Sequence, residues 1–146
     1  MNLTAHFSLE ELVYSEDAAK DGINNTPSAD VVTHLQLLAV GLESVRTLLC
    51  GQPLHVSSGF RCLQLNRAEH GVSDSAHLSG YAADFECPKF GVPIKIVEFL
   101  AKSGLKFDQL IQEGTWVHIS FAPTMRQEVL TAHFNSAHKA TYSTGA

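Results

Sequence analysis

Two hydrophobic periods run along this chain. Val31, Leu35, Leu38, Leu42, Val45 and Leu49 recur every three to four residues, which predicts a helix from about Ala29 to Leu49 with one buried face. Gly51 and Pro53 stop it. Ser8-Leu9-Glu10-Glu11 is a capping box opening a short helix to about Tyr14, and Asp21 to Pro27 is rich in turn formers. A short helix is expected near Cys62–Ala68. Pro93 is placed as the first residue of another, closed near Ser103 by Gly104. Short apolar runs at Leu54–Ser57, Tyr81–Cys87, Gln109–Glu113 and Trp116–Ser120 predict strands, and His70 to Gly80 a polar loop. Gly114-Thr115 suits a two-residue type II′ hairpin between the last two strands. Arg126–Phe134 is expected as a final helix and the tail from Asn135 as frayed.

Composition narrows the class. With 146 residues, the chain fits one domain able to bury a core, expected over about 5–134 with a flexible C-terminal tail. A formal net charge of -5, with no cluster of Lys and Arg, argues against nucleic acid as a partner. No apolar run is long enough for a membrane span, and Met1–His6 lacks the pattern of a signal peptide. The three cysteines, Cys50, Cys62 and Cys87, have no paired spacing, so free thiols and a reducing compartment are expected.

The chemistry concentrates in Ser75-Ala76-His77-Leu78-Ser79-Gly80-Tyr81-Ala82-Ala83-Asp84 and in Trp116-Val117-His118. His77, Asp84 and His118 form a set of two imidazoles and one carboxylate, which suits catalytic zinc with a fourth position open to water. Asp84 sits in an apolar strand and needs a partner: either a metal shared with both histidines or a salt bridge to Arg61. If Gly114-Thr115 is the turn, Glu113 opposes Trp116 and Ile111 opposes His118, so Glu113, Trp116 and His118 share one face. Glu113 is then either a general base beside the metal or a solvated turn residue. Of the other histidines, His34 reads as a helix boundary residue, His55 as packing or solvent-facing, His70 as a reserve ligand, and His133 and His138 as part of the polar C-terminal end.

These residues resemble a known family. Ser75-x-His77-x-x-Gly80-x-Ala82-x-Asp84 with a downstream Trp-x-His is similar to the zinc D-Ala-D-Ala carboxypeptidases and L-alanyl-D-glutamate endopeptidases that cut peptidoglycan stem peptides. Ser57-Ser58-Gly59-Phe60-Arg61 followed by Asn66 resembles that family's SGYR element. Phe7-Ser8, Glu11, Ser15, Asn25-x-Pro27 and Phe107-Asp108-Gln109-Leu110-Ile111 resemble its phage and prophage branch. The resemblance covers about residues 5–130 and implies a Hedgehog/DD-peptidase-like α+β fold, a small antiparallel sheet packed by helices. It implies Zn²⁺ on His77, Asp84 and His118, and Glu113 as base, although many relatives place their acidic residue three rather than five before the histidine. Arg61 would hold a substrate carboxylate or the developing oxyanion, Ser75 would bind substrate or position its loop, and Trp116 would line the substrate site. The expected function is hydrolysis of stem-peptide bonds; the alternative is a non-catalytic, zinc-bearing peptidoglycan-binding or phage structural module. A cytoplasmic product without a leader would reach the wall after lysis, by non-classical export, or within a phage particle.

Overall fold

The computed structural model describes residues 1–137 and 139–146. Helices α1 (Leu9–Val13) and α2 (Glu16–Asp21) lead to the long α3 (Ala29–Leu48). Strand β1 (His55–Ser58), α4 (Leu63–Ala68), a single 3₁₀ turn (Ala76–Ser79), β2 (Ala82–Glu86) and α5 (Pro93–Ala101) follow. Strands β3 (Gln109–Gln112), β4 (Val117–Ser120), β5 (Glu128–Phe134) and β6 (Ala140–Thr144) complete the chain. The expected α+β class holds. The six strands lie in the order β1-β2-β4-β3-β5-β6, and the sheet is mixed because β5 runs parallel to β3.

Serine caps set the starts of the first three helices. Ser8, Ser15 and Ser28 each accept a backbone N–H three residues on through the side-chain oxygen. The predicted apolar stripe of α3 is its buried face: Leu35, Leu38, Leu42 and Val45 are fully buried. They share one core with Phe85, Leu110, Val117 and Ile119 of the sheet and with Ile96, Val97 and Leu100 of α5. Burying each such side chain favours the fold by about 1.5–3 kcal/mol.

Strand alternation sends the next residues to the opposite face. Asp84 pairs with His118, His118 with Ile111, and Ile111 with Leu130. Directly paired residues share a face. One face is thus apolar and covered by helices. The other carries Asp84, His118, Ile111 and Leu130, with the 3₁₀ turn lying against β2.

The C-terminal expectations are corrected. Residues 128–134 form strand β5, not a helix. Met125 and Gln127 take positive φ (40° and 56°), which breaks a helix at its start. The buried Asp108 carboxylate receives the Arg126 guanidinium through Nε at 2.9 Å and Nη2 at 2.8 Å, anchoring the chain beside β3. The open edge of β3 then templates β5. The tail expected to fray instead forms β6, paired antiparallel to β5 from Leu130↔Thr144 to Phe134↔Ala140. Helix α2 was not expected, although Ser15 caps it and Gly22 closes it in the left-handed conformation. Cys50, Cys62 and Cys87 are free thiols. Among the described residues no helix is long and apolar enough to cross a membrane.

Candidate metal centre and cleft

His77 is set by its turn. Ser75 caps the 3₁₀ segment, its hydroxyl accepting the His77 N–H at 3.2 Å, and Gly80 closes it at φ +79°. Ser75 therefore positions the loop. At Gly80 a side chain would be strained, and its Cβ would also meet the Val31 side chain at 2.9 Å. The His77 carbonyl accepts the Arg61 N–H at 3.1 Å, which ties the Gly59-Phe60-Arg61 segment to the same turn.

Asp84 and His118 come from the sheet as direct partners across β2 and β4. One carboxylate oxygen, Asp84 Oδ1, lies 3.2 Å from His77 Nε2 and 3.0 Å from His118 Nδ1. All three residues are buried, and one ligand atom from each lies within 4.8 Å of the others.

Donor bookkeeping shows what this cluster needs. His77 Nδ1 sits 2.7 Å from the Gly59 carbonyl, which only accepts, so Nδ1 carries the proton. Burial pushes the His77 imidazolium below its usual pKa, despite the Asp84 charge, and favours the neutral ring. The lone pair of a neutral His77 Nε2 then faces a carboxylate oxygen: acceptor against acceptor. A cation among the three groups relieves that opposition. An imidazole whose other nitrogen donates to a backbone carbonyl is oriented as metal-binding histidines are. Burial alone would raise the Asp84 carboxyl, but the two imidazoles beside it hold it far below the usual carboxylate range. It is an anion, as a ligand must be. The His₂Asp set fits zinc, and no salt bridge to Arg61 supplies the partner that Asp84 requires.

Glu113 follows β3, and its N–H donates to the Trp116 carbonyl at 3.0 Å. The expected opposition of Glu113 and Trp116 is present. The turn closes more tightly than a two-residue loop, with the Thr115 N–H on the Glu113 carbonyl at 3.1 Å and Gly114 at φ +84°. The Glu113 carboxylate accepts the Trp116 indole N–H and is partly buried on the metal face. Burial first, then the Asp84 charge, push its carboxyl above the ordinary range, against the pull of His118, Trp116 and Arg61.

Arg61 also reaches this space. Its side chain forms no ion pair among the described residues, so Asp84 does not serve as its structural partner. Its Nε is buried without a hydrogen-bond partner. Arg61, Ser75, Glu113 and Trp116 line one open cleft of about 1500 Å³ with the three candidate ligands.

The other histidines stand apart from the trio. His70 lies on the cleft wall but outside the ligand cluster. His34 is the boundary residue its helix position implied, its Nδ1 2.7 Å from the Ser79 carbonyl and its ring stacked on Tyr81. His55 faces solvent and His133 contacts Ser143, while His138 lies outside the described residues.

Two supports were not foreseen. Gly59 supplies the carbonyl that fixes His77, and a Cβ there would lie 2.2 Å from the Leu12 carbonyl oxygen. Asn25 binds the Val13 and Phe60 carbonyls at 2.8 and 3.0 Å and accepts the Cys62 N–H at 2.8 Å, bracketing Arg61. The signal for both lay only in the resemblance, in Asn25-x-Pro27 and in the SGFR run.

A buried His₂Asp centre in a cleft, with a carboxylate and a guanidinium converging on it, defines a metallohydrolase. Residues 5–120 match the family model described as Peptidase M15, so the chain belongs to the peptidase M15 family and is a zinc-dependent metallopeptidase. No curated protein matches the chain significantly.

Proposed function

We propose that this metallopeptidase hydrolyses peptide bonds in the stem peptides of peptidoglycan, as a D-Ala-D-Ala carboxypeptidase or an L-Ala-D-Glu endopeptidase. The observation that carries this reading is Arg61: a cation in the cleft beside the metal centre, with no anionic partner among the described residues and with Nε unsatisfied. A guanidinium so placed suits a substrate carboxylate or the oxyanion formed at the scissile carbonyl, since its donors form a fixed fork. Stem peptides bring carboxylates to such a site.

When bound at His77, Asp84 and His118, zinc supplies a Lewis acid that acidifies water and polarises a carbonyl. Gly59 holds the proton of His77 at Nδ1 and leaves Nε2 free as a donor atom. The Glu113 carboxylate, oriented by the Trp116 indole N–H, takes the proton of the attacking water and passes it to the leaving amine. Its raised basicity serves that exchange. Arg61 faces the negative charge that develops on the carbonyl oxygen. The enzyme would meet its substrate after lysis or export, or as part of a phage particle.

Glu113→Gln tests the reading. The amide keeps the size of the side chain and its contact with Trp116 but cannot accept a proton. Digestion of purified sacculi, followed by mass analysis of the fragments, should show about a hundred- to ten-thousand-fold loss of rate at unchanged zinc content. The bond cut by the parent separates the two peptidase types. Near-parental cleavage by the variant would remove Glu113 as base. A parent that holds zinc yet cuts neither sacculi nor free stem peptides would refute this substrate and leave a wall-binding module.

A further inference from the structure

The family match ends at residue 120, whereas β5 and β6 occupy 128–144. This hairpin is not a remote appendage. Leu130, Phe134, Ala140 and Tyr142 line the same cleft as His77, Asp84 and His118.

Sheet register explains why. Ile111 pairs with Leu130, so the alternation that places His118 on the metal face also places Leu130, Ala132 and Phe134 there. Tyr142 pairs with Ala132 and joins them. Phe134 and Tyr142 are 50% and 46% exposed, large rings on the cleft side that the core does not consume. The Phe134 ring centroid lies 6.4 Å from that of Trp116, the residue that orients Glu113.

Strand order gives the cleft two ends. Arg61 follows β1 at one edge of the sheet, the ligands Asp84 and His118 stand on β2 and β4, and β5 and β6 close the other edge. We infer that the β5–β6 hairpin is the second wall of the substrate cleft, where Phe134 and Tyr142, together with Trp116, hold the peptide arm that extends from the scissile bond away from Arg61. This rests on the peptidase reading above and adds the residues that select substrate length. At about 4.8 Å per strand, β5 and β6 lie about 10 and 14 Å beyond β4. An extended peptide rising about 3.3 Å per residue meets the wall three to four residues from the bond that is cut. Aromatic faces suit such an arm because they cover apolar backbone and side-chain surface at little cost in side-chain freedom.

The test uses the full chain with zinc bound and the double variant Phe134→Ala/Tyr142→Ala. Two synthetic stem peptides serve as substrates, one of five residues with a four-residue arm on one side of the scissile bond and one trimmed to a single residue on each side. The parent should prefer the long peptide, and the ratio of kcat/KM for long over short should fall at least tenfold in the double variant, mainly through KM. A ratio within twofold of the parent's overturns the inference, as does an equal loss on both substrates. A second readout is independent of turnover. Trp116 is the only tryptophan, so its fluorescence reports binding to the Glu113→Gln protein. The long peptide should titrate the signal with a Kd at least tenfold weaker once Phe134 and Tyr142 are removed. If the parent cuts nothing, the substrate reading fails while this titration still decides the wall. A Kd that does not depend on the two rings, or no binding at all, refutes it.

Discussion

Asn25→Ala should cost far more than a surface substitution, and the cost can be worked from three contacts. The Asn25 side chain donates to the carbonyls of Val13 and Phe60 and accepts from the N–H of Cys62. These belong to the end of α1, the turn after β1 and the N-cap of α4, which the Phe60 N–H on the Leu12 carbonyl at 2.8 Å also joins. Alanine removes all three bonds and strands backbone groups in a partly buried space. At about 0.5–1.5 kcal/mol each, the loss is about 3 kcal/mol, a large share of a domain's typical 5–15 kcal/mol. Urea unfolding at fixed zinc concentration measures it. With a slope of about 2 kcal/mol/M the midpoint should fall by about 1.5 M. Asn25→Asp is the sharper variant, since it keeps the acceptor for Cys62 but sets a carboxylate against two carbonyls, and it should be at least as harmful. Because Phe60 and Cys62 flank Arg61, kcat/KM should fall in both proteins even at temperatures where they remain folded. A loss under about 0.5 kcal/mol would show that water replaces these bonds and that the bracket is not what holds Arg61.

Elemental analysis should find about one zinc per chain, lowered in His77→Ala, Asp84→Ala and His118→Ala but retained in His34→Ala and His133→Ala; equal zinc in all five refutes the ligand set. Thiol titration of denatured, unreduced protein should find three free thiols, and in the folded protein Cys87 should react last, because burial raises its pKa. Glu69, on the wall of the same cleft, supplies a pH test. Its hydrogen bond to Asp17, then burial and the Asp17 charge, push its carboxyl from 4.5 up to about 7, against the pull of Arg61. A folded-state pKa above the unfolded one contributes stability that is complete below about pH 4.5 and is lost as pH rises through 7. Glu69→Gln should therefore flatten the decline in unfolding free energy between pH 5 and pH 8 relative to the parent; an unchanged slope rules out the shared proton.

Much of this protein is legible in its residues because the signals are local. The stripe from Val31 to Leu49 specifies α3, since a period of 3.6 over five turns has no other solution. The Glu113–Trp116 opposition follows from a glycine turn and a period of two. The ligand trio was readable for a different reason: zinc chemistry restricts the residue types, and the spacing of His77, Asp84 and His118 carries that restriction. Helix α2 is equally local, with Ser15 as cap and Gly22 as stop.

The chain from Arg126 onward was decided elsewhere. Glu128–Phe134 is short and apolar enough to suit either a helix or a strand, and only the unpaired edge of β3, with Arg126 anchored on Asp108, selects the strand. The small polar residues of β6 carry no hydrophobic pattern, so their pairing comes from the strand beside them. Likewise, Asn25 and Gly59 matter through what approaches them from distant parts of the chain. The sequence by itself determined the helices, the β3–β4 hairpin and the chemistry of the centre, because those depend on neighbours within a few residues and on donor type. The tertiary structure alone decided the mixed sheet, the bracket around Arg61 and the hairpin wall of the cleft, because hydrogen bonds between strand edges and contacts across long stretches of chain leave no period to read.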